Sequence, residues 1–349
     1  MVTISPWWSP ERHADRRPFL LARNRIKAAI RRYFESDGFT EVECAALQVS
    51  PGNETHLHAF ATEATSNTGA SQRLYLHTSP EFASKKLLAA GEQKIFDFAR
   101  VFRNRETAPI NVPEFTMLEW YRTNVPYEHV ITDCLNFLRI AADTARQTTF
   151  QYKGRTLKSS TQAQRMSVAE AFQHFANIDL LSTIDDTGTD RAYLAMQAQT
   201  QGITFSPKDT WSDIFSRILV EKVEPNLGFD APLVLDQYPS AEAALARRSP
   251  GDPRVAERFE LYVLGMELAN GFGELTDPVE QRTRFETAMN EKQRIYGERY
   301  PIDEELLAAL EHMPPSSGVA LGFDRLVMLA TGAPHIEQVM WTPPAGRTP

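Results

Sequence analysis

The 349-residue chain reads as an α+β fold, strands interspersed with helices, and three observations predict it. Two strand-like runs, "IFDFARVFR" and "EFTMLEWYR", follow one another across a loop of about ten residues, as a long hairpin does. Stretches with helical spacing of apolar residues precede them and dominate residues 126–230. Near the end, "SSGVALGFDRLVMLATGA" is a strand that turns at Gly322 into a helix.

Residues 1–18 are rich in Pro, Arg and Trp without periodicity and are expected to form an arm. From Phe19, "FLLARNRIKAAIRRYFESDGF" sets Leu21, Ile26, Ile30 and Phe34 at near-helical spacing, with Gly38 as a stop. Its basic residues are not interleaved with exposed aromatics, so they are read as a solvated face and not as a nucleic-acid surface. "LYLHTSPEFASKKLLAAG" is a strand running into a helix: Thr78 and Glu81 have capping-box spacing, Pro80 suits the first turn, and Gly91 stops it. Within 126–230, "YEHVITDCLNFLRIAADTAR", "SVAEAFQHF" and "WSDIFSRILVEKVEPNLG" are helical runs. "RFELYVLGMELANGFGELTD" is taken as a strand leading into a Gly-containing turn, and "FETAMNEKQRIYGERY" as a polar helix.

Apolar residues make up 42% of the chain, ample for a packed core. A net charge of −8 argues against non-specific affinity for polyanions. Cys44 and Cys134 suffice for neither a disulfide framework nor a thiolate zinc site, and are expected as free thiols in a reducing cytoplasm. No signal-peptide or membrane-span pattern is present, so a soluble, cytoplasmic protein is expected. His56 and His58 share a face of a presumed strand, but no third ligand has suitable spacing, so packing or hydrogen bonding is expected of them.

Three segments place charges at strand ends: Arg103, Arg105 and Glu106 at the hairpin tip, Glu267, Asn270 and Glu274 after an apolar run, and Asp324 and Arg325 opening the last helix. Each alone is a weak signal. Together, "FRNRE…PEFTMLEWY", "GVALGFDRLVML" and "RRYFESDGFTEVECAAL" resemble motifs 2, 3 and 1 of the class II aminoacyl-tRNA synthetase core, over residues 19–340. The resemblance implies a six-stranded antiparallel sheet flanked by helices and the activation of a carboxylate by ATP and Mg²⁺. It makes Arg103, Arg325 and Glu267 the catalytic residues. Arg103 would grip the α-phosphate and Arg325 the γ-phosphate, as planar, permanently charged forks. Glu267 would hold Mg²⁺, which prefers carboxylate oxygen. Asn104, Arg105, Glu106, Asn111, Leu268 and Gly322 would complete the ATP site, and there is no Walker-type loop to offer another.

"THLHAF", "TSPE", "VPEFT", "EWY" and "ELANGFGELTD" are similar to lysyl-tRNA synthetase segments. That carries lysine recognition onto Glu81, Tyr121 and Glu274, with Ser79, Asn270 and Ala320 beside them. The lysyl enzymes have glycine where this chain has Ala320, a difference expected to favour a β-amino acid. A lysyl-tRNA synthetase carries an N-terminal anticodon-binding barrel, whereas here the core is expected to begin near Phe19. The chain thus resembles the elongation factor P lysine ligase family, which implies lysine or (R)-β-lysine as substrate, elongation factor P as acceptor, a homodimer, and no role for tRNA. A small-molecule ligase resembling asparagine synthetase A and an inactive regulatory paralogue are the alternatives. The retained charges at Arg103, Glu267, Glu274 and Arg325 speak for activity. The chain departs from the pattern at Cys44 and Ala45, where motif 1 usually has a proline, and at Asn111 and Val112 in the motif 2 loop. Arg105 stands in the place of the usual glutamate with Glu106 next, so one of these two is expected to meet adenine.

Overall fold

The computed structural model describes residues 6–185 and 188–344. Its first helix, α1 (Pro10–Ser36), starts well before Phe19, because Ser9 caps it and Pro10 fills its first position. Residues 10–18 are therefore helix and not arm, with Pro18 inside the helix. Leu20, and not Leu21, joins Ile26, Ile30 and Phe34 on the buried face. Nor is the basic face wholly solvated: Arg16 and Arg23 are buried, Arg23 against Asp324.

The central sheet has eight strands: β1 (Thr40–Glu41), β2 (Lys94–Phe102), β3 (Glu114–Thr123), β4 (Gln164–Ser167), β5 (Leu233–Asp236), β6 (Arg258–Val263), β7 (Met266–Gly273) and β8 (Ser316–Gly322). They lie in the order β1-β2-β3-β8-β7-β6-β5-β4. The six from β2 across to β5 are antiparallel to their neighbours and match the expected six. Short β1 and β4 then add in parallel at the two edges, so the full sheet is wider than expected. The run from Arg258 to Gly273 is two strands, because Leu264 (φ 54°) and Gly265 (φ 72°) form a left-handed two-residue turn.

The other main helices are α2 (Glu81–Ala89), α3 (Glu128–Ala145), α4 (Arg191–Thr200), α5 (Trp211–Ile218), α6 (Pro278–Tyr296), α7 (Glu304–Leu310) and α8 (Phe323–Thr331). Helices α1, α3 and α8 cover one face of the sheet, burying Leu118, Trp120, Val319 and Leu321 with Phe34, Phe137 and Leu326. Region 126–230 is less helical than expected. Besides α3, α4 and α5 it holds β4 and a hairpin of Thr149–Tyr152 with Arg155–Lys158, and it packs a second core around Phe172, Trp211 and Phe215. The other face of the sheet, left free of α1, α3 and α8, is the floor of a cleft.

Candidate active site

Strand register builds that floor. Glu119 of β3 lies opposite Ala320 of β8, Ala320 opposite Asn270 of β7, and Asn270 opposite Glu260 of β6. The next rung runs Tyr121, Gly318, Phe272, Arg258. Glu267 lies three residues from Asn270, an odd spacing that would send it to the other face of a regular strand. Leu268, however, is skipped in the pairing with β6, and this bulge turns Glu267 to the cleft side with Asn270.

The cleft has a volume of about 350 Å³. Every site residue expected from the sequence lines it except Asn104 and Arg105. Those two lie outside the cleft wall. Asn104 bridges to His58, and Arg105, at φ 64°, turns outward onto Glu298. Glu106 stays inside, 3.9 Å from Arg103 and 3.3 Å from the Asn111 amide. The capping box between Thr78 and Glu81 does not form either: Thr78 donates its hydroxyl hydrogen to the Pro51 carbonyl, and Glu81 faces the cleft. Asp324 also lines the cleft, but its carboxylate is engaged, accepting from Arg23 and from the Thr116 backbone N–H at 2.7 Å.

One end of the cleft is acidic. Glu119 accepts from Ser79 at 2.7 Å and from Tyr121 at 2.5 Å, while Glu81 and Glu274 lie close by. Burial pushes Glu119 up to about 8, with help from the Glu81 charge and against the Tyr121 and Ser79 hydrogen bonds. Burial also raises Glu274, although Lys85 pulls it back. The opposite end holds two arginines. Arg325, in the first turn of α8, donates to the Glu267 carbonyl at 2.7 Å and to Asn111 at 2.8 Å. Arg103 donates to the Thr78 carbonyl at 3.3 Å and lies over the Phe115 ring. Between the ends, Glu260 and Glu267 both face the cavity. Burial, then the Glu260 charge, push Glu267 up to about 7. Arg258 and the Tyr262 hydroxyl each donate to Glu260 at 2.7 Å.

Glu119, Glu260, Arg258 and Gly318 went without assigned roles in the sequence reading. Glu119 and Tyr121, and likewise Arg258 and Glu260, are separated by two residues on a strand and so share a face; that spacing was the available signal. His56 and His58 are hydrogen-bonded as expected, to Tyr296 at 2.9 Å and Glu298 at 3.0 Å. Cys44 and Cys134 are free thiols. No helix among the described residues is long and apolar enough to cross a membrane.

An antiparallel sheet that presents an arginine from the β2–β3 hairpin and another from the helix after its last strand defines a class. The chain belongs to the class II tRNA synthetases (D, K and N), whose family model matches residues 8–345. Within that class, it is 39% identical over 323 residues to the elongation factor P–(R)-β-lysine ligase of Haemophilus ducreyi, covering 92% of each chain. It is 40% identical over 327 residues to the protein of that name from Klebsiella pneumoniae, covering 93% of this chain and 94% of the relative. The one from Pasteurella multocida is 37% identical over 335 residues, 95% of this chain and 96% of its own.

Proposed function

We propose that the protein is an ATP-dependent lysine ligase that activates lysine, preferentially (R)-β-lysine, and transfers it to a lysine side chain of elongation factor P. The observation that carries this reading is the polarity of the cleft: buried carboxylates at one end suit ammonium groups, and two arginines at the other suit a triphosphate. The names of the relatives support the acceptor and the isomer. An asparagine synthetase-like substrate would leave the three carboxylates without a second cation to meet.

In this reading Arg103 and Arg325 orient the phosphates, and Asn111 fixes Arg325 from the motif 2 loop. Glu106 meets the adenine, since Arg105 is turned outward. Glu267 and Glu260 fit Mg²⁺: both carboxylates face the cavity and Arg258 engages Glu260 through one oxygen, so oxygens of both would remain to hold a hard cation that prefers carboxylate. Bound there, the ion supplies charge neutralisation to the phosphates. Ser79, Glu81, Glu119, Tyr121, Asn270 and Glu274 hold the lysine so that its carboxylate oxygen attacks the α-phosphorus as the bond to pyrophosphate breaks. The acceptor amine then attacks the acyl carbon, AMP leaves with the bonding pair, and the amine loses a proton. A free lysine is only about one part in a thousand neutral near pH 7.4, so docking of the acceptor must orient it and help remove that proton. Leu47 and Val49, exposed beside motif 1, support a homodimer through that segment. The working location is the cytoplasm.

The test is to incubate the protein with ATP, Mg²⁺, each lysine isomer and elongation factor P, and weigh the factor. A gain of one lysyl residue, largest with the (R)-β isomer, is expected. An unmodified factor alongside efficient charging of bulk tRNA would overturn the reading.

A further inference from the structure

A lysine lies behind the acidic end of the cleft. Lys85, on the turn of α2 after Glu81, is fully buried and is not part of the cleft wall. Its Nζ lies 2.7 Å from Glu81 Oε1 and 2.6 Å from Glu274 Oε2. Each carboxylate is therefore gripped through one oxygen from the rear, and the other oxygen of each remains for a ligand in the cavity. The i, i+4 spacing on α2 fixes the first contact, and the chain leaving β7 brings the second.

We infer that Lys85 is a built-in counter-ion of the amino-acid pocket, a positioning residue that aims Glu81 and Glu274 at the substrate and sets the charge the substrate must bring. The inference rests on the lysine reading of this site. Glu81, Glu119 and Glu274, when ionised, bring three negative charges to one small volume, and Lys85 reduces the net charge to −2. A diamino acid has two ammonium groups to match it, and its carboxylate falls toward the arginines. A monoamino acid leaves one buried carboxylate unpaired, which is strongly unfavourable. Lys85 thus contributes to selection without touching the substrate.

Other charges near Lys85 do not take over this role. Glu119 is engaged by Ser79 and Tyr121, and Arg247 is paired with Glu257. The neighbouring Lys86 is turned to Asp303 and Glu305 at the start of α7. Burial alone would lower Lys85, but Glu274 and Glu81 more than reverse this and hold it above its ordinary value. It stays charged, so the pocket titrates through its carboxylates. Removing Lys85 leaves the buried Glu274 beside the Glu81 charge without the cation that now lowers it, so Glu274 takes up a proton at higher pH than in the wild type.

The experiment is Lys85→Met, assayed by lysine-dependent ATP–pyrophosphate exchange from pH 6.5 to 8.5, with wild type measured at each pH so that titration of the substrate's own amines cancels in the ratio. The lysine KM is expected to rise at least thirtyfold at pH 7, with kcat and the ATP KM within threefold of wild type. The KM defect should shrink at least fivefold as pH rises, because alkali restores the carboxylates; a purely structural role would not give that dependence. A KM within threefold of wild type, or a defect independent of pH, overturns the inference. If Lys85→Met does not fold, Lys85→Met/Glu81→Gln, which removes one charge of each sign, decides by its melting temperature. Recovery supports charge balance, and continued failure to fold makes Lys85 a packing residue and overturns the inference. Wild-type exchange is the control: if the unmodified protein does not activate lysine, the lysine reading itself has failed.

Discussion

Gly318 is where the pocket has least room, and adding one methyl group there tests the geometry directly. A Cβ on Gly318 would lie 2.3 and 2.4 Å from the Tyr121 ring and 2.5 Å from Glu274 Oε1, separations at which something must move. The ring has nowhere to go, since Tyr121 is 3% exposed and its hydroxyl is tied to Glu119 at 2.5 Å. Overpacking of this kind costs about 1–3 kcal/mol, enough to lower the melting temperature by a few degrees and still leave the chain folded. Its effect on chemistry should be larger. Tyr121 and Glu274 both line the amino-acid end, and a misplacement of about 1 Å there costs about a hundredfold in rate. Gly318→Ala is therefore expected to lose about a hundredfold in kcat/KM for lysine in pyrophosphate exchange, with the ATP KM little changed. Gly251→Ala, where an added Cβ meets nothing within 4 Å, is the control. A Gly318→Ala protein with lysine kcat/KM within threefold of wild type would refute the assignment of Tyr121 and Glu274 to substrate.

Arg325→Ala should nearly abolish exchange, because losing a preorganised charge contact to the transition state costs ~3 kcal/mol or more, about a hundredfold; activity within threefold of wild type would sink the phosphate role. Ala320 lies in register between Glu119 and Asn270, so Ala320→Gly should shift the preference between α- and β-lysine by roughly ten- to two-hundredfold, the value of about 1–3 kcal/mol for one methyl, and an unchanged ratio leaves Ala320 as packing. Lysine binding at pH 7 should release protons. Burial and the Glu81 charge raise Glu119 to about 8, so it is mostly protonated in the free pocket, and an arriving ammonium favours its ionised form; affinity then rises with pH through the range below 8. Calorimetry in buffers of different ionisation enthalpy reads that release, and an enthalpy independent of buffer would contradict it.

Much of the site was legible because its charged residues stand in motifs that resemble those of a known family. The motif resemblance carried roles onto Arg103, Glu267, Glu274 and Arg325, and alternation on β3, with Glu119 and Tyr121 on one side and Leu118 and Trp120 on the core side, was the signal that could have added Glu119. What stayed illegible depends on long-range partners or on backbone states with no compositional mark. Nothing local to "GMELANG" shows that Leu268 is skipped by β6, yet that skip brings Glu267 to the cleft side. Leu264 adopts a left-handed conformation unusual for its type, so one apparent strand concealed a hairpin. The sequence offered Arg105 and Glu106 as equals, and only the φ of 64° at Arg105 and the distant Glu298 separate them.

Lys85 shows the same limit in its sharpest form. Beside Glu81 on a helix, its sequence signature is that of an ordinary surface i, i+4 ion pair, a contact worth a few tenths of a kcal/mol. Burial changes its meaning. With no exposure and with Glu274 arriving on the chain that leaves β7, the same pair becomes part of a buried charge set whose sum matters more than any member. A substitution there cannot be compensated by solvent, as it could at the surface, so the electrostatic demand passes to whatever occupies the cleft. The fold's choice of substrate thus depends partly on a side chain outside the pocket, and a search confined to the residues that line the cleft would overlook it.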